Sequence, residues 1–250
     1  MQDFIELAMK MADQAGEIIR PYFRQGVDVE HKGDESPVTV ADRAVEEHLR
    51  EIIEAARPED GIIGEEFGIK ESQNGLEWVI DPIDGTKSFI AGRPTFGTLI
   101  ALCENGVPVL GIIDQPIAEE RWLGVKNQPT LFNGKTIKTK KCDDLKKAKL
   151  ASTDPDQLRG HVENLRDASD FFIWGGDCYS YGLLSCGNID AVIETQLSTY
   201  DYAALPPIIE GAGGHMCDWR GNPLTTKSDG RTLAIGDLTL KDPILEILNA

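Results

Sequence analysis

Over residues 4–23 the apolar side chains Phe4, Leu7, Ala8, Met11, Ala15, Ile18, Ile19 and Tyr22 recur at three- and four-residue spacing. That period predicts an amphipathic helix, disturbed at its end by Pro21. A stretch rich in Gly, Asp and Lys, residues 27–36, breaks the pattern. Thr39 then stands where a helix N-cap is wanted, ahead of the inward positions Ala41, Ala44, Val45, Leu49, Ile52 and Ile53, and Pro58 closes this second helix. Strand-like runs follow at 61–65, 76–80, 96–102 and 107–113. Between the last two, Glu104-Asn105-Gly106 predicts a tight hairpin, because Asn-Gly supplies the positive φ angles of a type I′ turn. The first half therefore reads as helices packed on an antiparallel sheet.

Around residues 140–149 the chain becomes charged and linker-like. Beyond it, strands and helices alternate at 149–152, 157–165, 179–185, 189–194, 202–211 and 233–235, an α/β pattern. The expected organisation is an N-terminal α+β half, residues 1–145, and a C-terminal α/β half, residues 146–250, forming one compact catalytic unit.

Composition narrows the function classes. The chain has 250 residues, 41% hydrophobic and 27% charged, enough for a real core. Its formal charge of -17, from 42 acidic and 25 basic side chains, repels nucleic acid and anionic lipid, so neither is an expected partner. No apolar run approaches the roughly 18 residues of a membrane helix. The N-terminus lacks the basic region and cleavage site of a signal peptide, so a cytoplasmic location is expected. Five cysteines, with no Cys-x-x-Cys spacing, form neither a disulfide framework nor a zinc motif.

The candidate chemistry lies in carboxylates. The run Trp78-Val79-Ile80-Asp81-Pro82-Ile83-Asp84-Gly85-Thr86 ends an apolar strand in two carboxylates, Asp81 and Asp84, and then opens a helix. The first turn of a helix offers unpaired N–H groups and partial positive charge, so Gly85 and Thr86 would face an anion where the aspartates face a cation. Glu65 and Glu66 follow another apolar strand, and Asp201 precedes a helical run. Each also has an ordinary reading: Glu65 as a surface acid, Asp84-Gly85 as a turn, Asp201 as an N-cap. Together they resemble a hard-cation site, to which the Ile83 carbonyl could add an oxygen. Two carboxylates about 4 Å apart repel by roughly 4 kcal/mol at an effective dielectric of 20, so such a cluster needs a cation to stay ionised.

Other chemistries are excluded by spacing. Gly134-Lys135-Thr136 lacks the upstream glycine of a phosphate-binding loop, where Pro129 stands. Met216 breaks the dinucleotide pattern begun by Gly211 and Gly213. The histidines show no metal spacing, and no Gly-x-Ser-x-Gly elbow exists.

Three motifs, Gly64-Glu65-Glu66, Trp78 through Thr86, and Tyr200-Asp201 before a Gly-Ala-Gly-Gly end, together with Val38-Thr39-Val40-Ala41-Asp42, resemble the inositol monophosphatase-like family of Mg²⁺-dependent, lithium-sensitive phosphatases. The resemblance implies a layered αβαβα sandwich, commonly a dimer. It implies that Glu65, Asp81 and the Ile83 carbonyl hold one metal and that Asp81, Asp84 and Asp201 hold a second, with a weaker third near Glu65. Two to three Mg²⁺ are thus expected, with Mn²⁺ as a possible substitute. Phosphate would be bound by Asp84 and by the N–H groups of Gly85 and Thr86. Thr86 and Glu65 would position the attacking water, Asp42 would orient the Thr86 hydroxyl, and Lys32 would lie near the third metal. The implied reaction is hydrolysis of a small phosphate monoester by in-line attack of a metal-activated water.

Residues 174–184 and 94–101 resemble the histidinol-phosphate phosphatase branch; the inositol enzymes carry Gly-Thr or Gly-Ser where this chain has Gly176-Asp177. Histidinol phosphate bears an amine and an imidazole, so Asp177, Glu194 and Asp201 are the expected substrate contacts. Asp177 could instead cap a helix starting near Tyr179. The competing substrates are inositol 1-phosphate and sugar-alcohol phosphates. The presence of Thr86 and Glu65 speaks against a non-catalytic metal-binding regulator.

Overall fold

The computed structural model describes residues 1–26, 29–31, 37–158 and 160–250; Lys32 lies outside them. The first part of the chain runs α1 (Gln2–Ile19), β1 (Val29–His31), β2 (Pro37–Thr39), α2 (Val40–Ala56), β3 (Gly61–Gly64), β4 (Gly68–Lys70), β5 (Leu76–Asp84), α3 (Thr86–Ile90), β6 (Gly97–Glu104), β7 (Val107–Gln115), β8 (Glu120–Val125), β9 (Leu131–Phe132) and β10 (Lys135–Thr136). It continues as β11 (Lys149–Ser152), α4 (Val162–Ala168), β12 (Phe171–Trp174), α5 (Asp177–Ser185), β13 (Ala191–Glu194), α6 (Thr199–Tyr202), α7 (Leu205–Gly211), β14 (His215–Asp218), β15 (Thr232–Ile235) and α8 (Lys241–Leu248).

Among the described residues, eight strands form one sheet in the order β10-β9-β8-β7-β6-β5-β3-β4 and five form another in the order β12-β11-β13-β15-β14. The first is antiparallel except where β3 runs parallel to β5. In the second, β11 pairs in parallel with β12 and β13. Side chains of a strand alternate between faces, and that alternation builds the layers. Trp78, Ile80, Ile100 and Leu110 pack under α1 and α2. Val79, Leu99, Ala101 and Ile113 point the other way, into a core shared with α5, α7 and the inner face of the second sheet. The outer face of that sheet, with Leu150, Ala191, Ile193 and Leu233, is covered by α4 and α8. The result is an αβαβα sandwich. Because β5 and β6 are buried on both faces, they read as continuous apolar runs.

Several elements differ from the sequence reading. Pro21 has no N–H to donate, so α1 ends at Ile19 rather than reaching residue 23. The helix expected at 202–211 is two short helices, with Pro206 and Pro207 in the first turn of α7. The helix expected at 157–165 lies further on, as α4. By contrast, Asn105 and Gly106 have φ of 51° and 78°, the two positive values of the type I′ hairpin. No helix among the described residues is long and apolar enough to cross a membrane.

Close packing between the central layers depends on Gly111 of β7 and Gly124 of β8. A Cβ at Gly111 would lie 1.9 Å from the Ala204 carbonyl oxygen, and one at Gly124 would lie 2.3 Å from the Ile208 nitrogen. Gly111→Ala is therefore expected to lower stability by about 1–3 kcal/mol or more, through overpacking against backbone that cannot yield. Urea denaturation checks this; an unchanged midpoint would show that α7 can move off the sheet at little cost.

Candidate active site

Along a regular strand, residues three apart face opposite sides, so Asp81 and Asp84 should diverge. The structure brings them together with a bulge. Asp81 pairs with Leu99 and Asp84 with Gly97, so β5 carries one more residue than β6 across this interval. Pro82, which has no N–H to offer a ladder, fits this interruption, and its carbonyl accepts from Thr98 Oγ1 at 2.8 Å. Asp81 Oδ1 accepts from the Ile83 N–H at 3.0 Å. Gly85, at φ 86°, turns the chain into α3.

Two further aspartates arrive at the starts of helices. In α2, Thr39 is the N-cap and Asp42 the third helical residue, and their side chains and backbone bond reciprocally as a capping box. Asp42 Oδ2 accepts from the Thr39 N–H at 2.9 Å, leaving Oδ1 3.4 Å from Thr86 Oγ1. The same hydroxyl lies 3.2 Å from the Ile83 carbonyl, so its single proton chooses between the two acceptors. Asp201 repeats the device: Ser198 is the N-cap of α6, and the Ser198 N–H donates to Asp201 Oδ2 at 2.7 Å. The ordinary reading of Asp201 as a helix-capping group is thus correct in kind, though Ser198 holds the cap position. Among the described residues, one carboxylate oxygen each from Asp81, Asp84 and Asp201 lie within 4.8 Å of one another. Glu65 adjoins Asp81 closely enough for its charge to act on it.

Asp177 does not cap a helix. It is the first residue of α5 and holds φ 45°, a left-handed conformation that costs a non-glycine residue about 1 kcal/mol or more. Its carboxylate reaches across to accept from Ser88 Oγ at 2.9 Å and lies against Gly85, where a Cβ would meet Oδ2 at 2.7 Å. The next residue, Cys178, donates its N–H to Asp84 Oδ2 at 2.5 Å. Glu194, at the end of β13, is 1% exposed. Its Oε1 accepts from the Thr153 N–H at 2.7 Å and its Oε2 from Ser152 Oγ at 3.3 Å. Asp84, Asp177, Glu194 and Asp201 line one cavity of about 150 Å³, with Thr153 and Tyr181. A cavity of about 370 Å³ beside α1 holds none of these residues. Its Arg121 is already paired, at 2.6 Å to Asp114 and 2.8 Å to Asp13.

Burial and like charge raise the proton affinity of the whole cluster. Asp81 is held well above the usual carboxylate range by desolvation and then by Glu65, Asp84 and Asp201. Asp84 is raised by desolvation and by Asp177 and Asp201, against the opposing bonds from Cys178. Asp201 and Glu194 are each pushed up to about 7, chiefly by burial. Asp177 is raised by burial, with the Ser88 bond and then Arg93 and Lys87 opposing. Three converging carboxylates supply hard oxygen donors and excess negative charge, a set that fits a divalent cation such as Mg²⁺.

The sequence profile of the inositol monophosphatase family matches residues 1–247. The chain belongs to the inositol monophosphatase family. It is similar to a chloroplastic bifunctional phosphatase, IMPL2, of Arabidopsis thaliana, at 43% identity over 98% of this chain and 75% of that protein. A histidinol-phosphatase of Chlorobaculum parvum is 36% identical over 90% of each chain. Among solved structures, an inositol monophosphatase from Zymomonas mobilis is 50% identical, covering 100% of this chain and 98% of that one, with a TM-score of 0.91. The inositol monophosphatase fold and a phosphatase activity on small phosphate monoesters follow from this membership.

In this member of the inositol monophosphatase family, the sequence reading missed Ser88, Thr153, Tyr181 and the Cys178 N–H. Ser88 stands in the helix opened by Gly85-Thr86, and Ser152-Thr153 end a strand; polar residues at element ends next to the motif were the available signal.

The charge arrangement sets a pH dependence. Asp201 moves from an ordinary 3.8 to about 7 on folding, so its protonation stabilises the metal-free fold fully below about pH 3.8. That contribution is lost as pH rises through about 7, because the folded state must release protons it binds more tightly than the unfolded chain. The metal-free melting temperature is expected to fall between about pH 5 and about pH 8, and Mg²⁺ to restore it at the upper end. Asp84→Asn, which removes one repelling charge, should melt higher without metal and gain little from Mg²⁺. Equal Mg²⁺ shifts in both proteins would place the cation elsewhere.

Proposed function

We propose that the protein is a Mg²⁺-dependent phosphate monoester hydrolase whose substrate is L-histidinol phosphate, giving L-histidinol and phosphate. The observation that carries the substrate choice is the presence of Asp177 and Glu194 in the same cavity as Asp84 and Asp201. A phosphate held at Gly85 and Thr86 would leave its leaving group facing two additional carboxylates. An amine and an imidazole satisfy them with charge-assisted bonds; the hydroxyls of inositol do so less strongly. The strained backbone of Asp177 fits a residue retained for a contact rather than for its helix.

In this reading Glu65, Asp81, the Ile83 carbonyl, Asp84 and Asp201 hold two to three Mg²⁺. When bound, the cations contribute Lewis-acid stabilisation of charge on the phosphoryl oxygens. Gly85 and Thr86 N–H groups bind a phosphate oxygen at the start of α3. Thr86 donates a hydrogen bond to Asp42 or to the Ile83 carbonyl, which leaves a lone pair of its oxygen to accept a hydrogen bond from the attacking water. Glu65 accepts a hydrogen bond from the water's other O–H, so that the water's free pair is aimed at phosphorus. As the new P–O bond forms and the bond to the leaving oxygen breaks, one water proton passes to Glu65 and returns through solvent to the leaving oxygen. Asp177 and Glu194 hold the cationic end of the substrate and thereby align the leaving oxygen. Uncatalysed monoester hydrolysis requires accelerations approaching about 10²¹, on the order of 29 kcal/mol, so charge stabilisation and alignment must act together.

Inositol 1-phosphate is the second reading, favoured by the 50% identity to the Zymomonas mobilis enzyme. We also propose a cytoplasmic homodimer, by analogy with the family.

Comparison of kcat/KM for histidinol phosphate, inositol 1-phosphate and fructose 1,6-bisphosphate in Mg²⁺ tests the assignment; histidinol phosphate should lead, and a lead for inositol 1-phosphate would overturn it. Asp177→Asn, which keeps the left-handed backbone tolerable, should raise KM for histidinol phosphate by about tenfold or more. For glycerol 2-phosphate the KM should change little. Equal effects on both esters would make Asp177 a structural residue.

A further inference from the structure

We propose that Glu46 is a positioning residue for Glu65, and that α2 holds Thr86 and Glu65 in register through two carboxylates one turn apart. The proposal rests on the reading of Glu65 given above. Glu46 is wholly buried and lies four residues beyond Asp42, on the same face of α2. Its Oε2 accepts from the Glu66 N–H at 2.6 Å and its Oε1 from the Phe67 N–H at 3.1 Å. These are the two amides that follow Glu65. Arg50, one turn further along the helix, donates Nε to Glu46 Oε1 at 2.8 Å and also bonds the Gly68 carbonyl. The pair therefore fastens the whole turn between β3 and β4 to the helix.

Gly64 makes room for this contact. A Cβ there would lie 2.0 Å from Glu46 Oε1 and 2.5 Å from its Cδ. The glycine of Gly64-Glu65-Glu66 thus has a steric reason. Without a Cβ at this position, β3 can pass close to the buried carboxylate.

The charge count also matters. Glu46 is neutralised by Arg50, so it adds rigidity without adding to the negative field around Asp81. Asp42 touches Thr86 and Glu46 touches the turn of Glu65, and about 6 Å of a single rigid helix separates them. A shift of the turn would move the Glu65 carboxylate relative to the Thr86 hydroxyl, and the two could no longer accept hydrogen bonds from one water.

The test is Glu46→Gln in the full-length protein. Glutamine keeps the shape but has one acceptor oxygen, so one of the two amides loses its partner. Exchange of the Glu66 and Phe67 amides, followed by NMR, should accelerate with or without Mg²⁺. By calorimetry, Mg²⁺ affinity should fall about tenfold or more, and kcat should fall similarly, as when a partner of a ligand is removed. KM for histidinol phosphate should stay within about twofold, because the substrate contacts are untouched. Faster exchange with native Mg²⁺ affinity and kcat would overturn the proposal and leave Glu46 as a brace of the turn alone. If Glu46→Gln does not fold, Arg50→Gln decides by the same readouts, and native Mg²⁺ affinity there also overturns it. Glu65→Gln separates the two levels: native activity in that variant sinks the role of Glu65 itself, whereas an inactive Glu65→Gln beside a native-like Glu46→Gln sinks only the positioning role.

Discussion

Three carboxylates that repel one another, Asp81, Asp84 and Asp201, have oxygens within 4.8 Å in a largely water-excluded place, and the arrangement of the chain around them answers that repulsion. Each pair costs on the order of several kcal/mol without a counter-charge. The fold holds them by separate local devices. A bulge turns Asp84 to the side of Asp81, a capping box ties Asp201 to Ser198, and the Cys178 N–H at the start of α5 binds Asp84. The two sheets bring these devices to one point, because β5 belongs to the first and α6 follows β13 of the second. The energy invested in convergence is what a cation would return on binding.

The same logic repeats at lower charge density. Asp42 is a capping-box carboxylate with one oxygen committed to Thr39 and the other turned toward Thr86. Helix capping thus does two things at once in this protein. It satisfies the first turn of α2 or α6, and it fixes a carboxylate of the candidate site to within the tolerance of a hydrogen bond. Beside Asp84 and Asp201, Asp177 and Glu194 add further carboxylates to the same cavity. Their neighbours are the Ser88 and Ser152 hydroxyls and the Thr153 N–H. In the proposed function, these carboxylates would favour a cation on the substrate as the converging aspartates favour a metal cation.

Legibility in the sequence followed how local each device is. The Gly85-Thr86 step and the Thr39 cap are contained in a few consecutive residues, the layered sandwich was implied by the family motifs, and the bulge between Asp81 and Asp84 was not foreseen because it depends on pairing with β6. The hairpin at Asn105-Gly106 is equally local. What escaped was tertiary or short. The strands β8, β12 and β14 are short, or carry apolar side chains on both faces, and so show no clean alternation. The break between α6 and α7 falls at Ala203 and Ala204, just ahead of Pro206 and Pro207 in the first turn of α7. Asp177 was open to a capping role because its partner, Ser88, is 89 residues away. Glu46 carried only a periodic signal, an acid on the buried face of a helix, with Gly64 as the distant clue to what it approaches.

The central claim is that the cluster holds protons in place of a cation and gives them up when one binds. Calorimetric titration of Mg²⁺ into the metal-free protein near pH 7, repeated in buffers of different ionisation enthalpy, counts the protons released. A net release is expected at about pH 7, larger at about pH 6 and vanishing toward about pH 9, as protonated carboxyls become fewer. Saturable Mg²⁺ binding with no proton release across that range would contradict it.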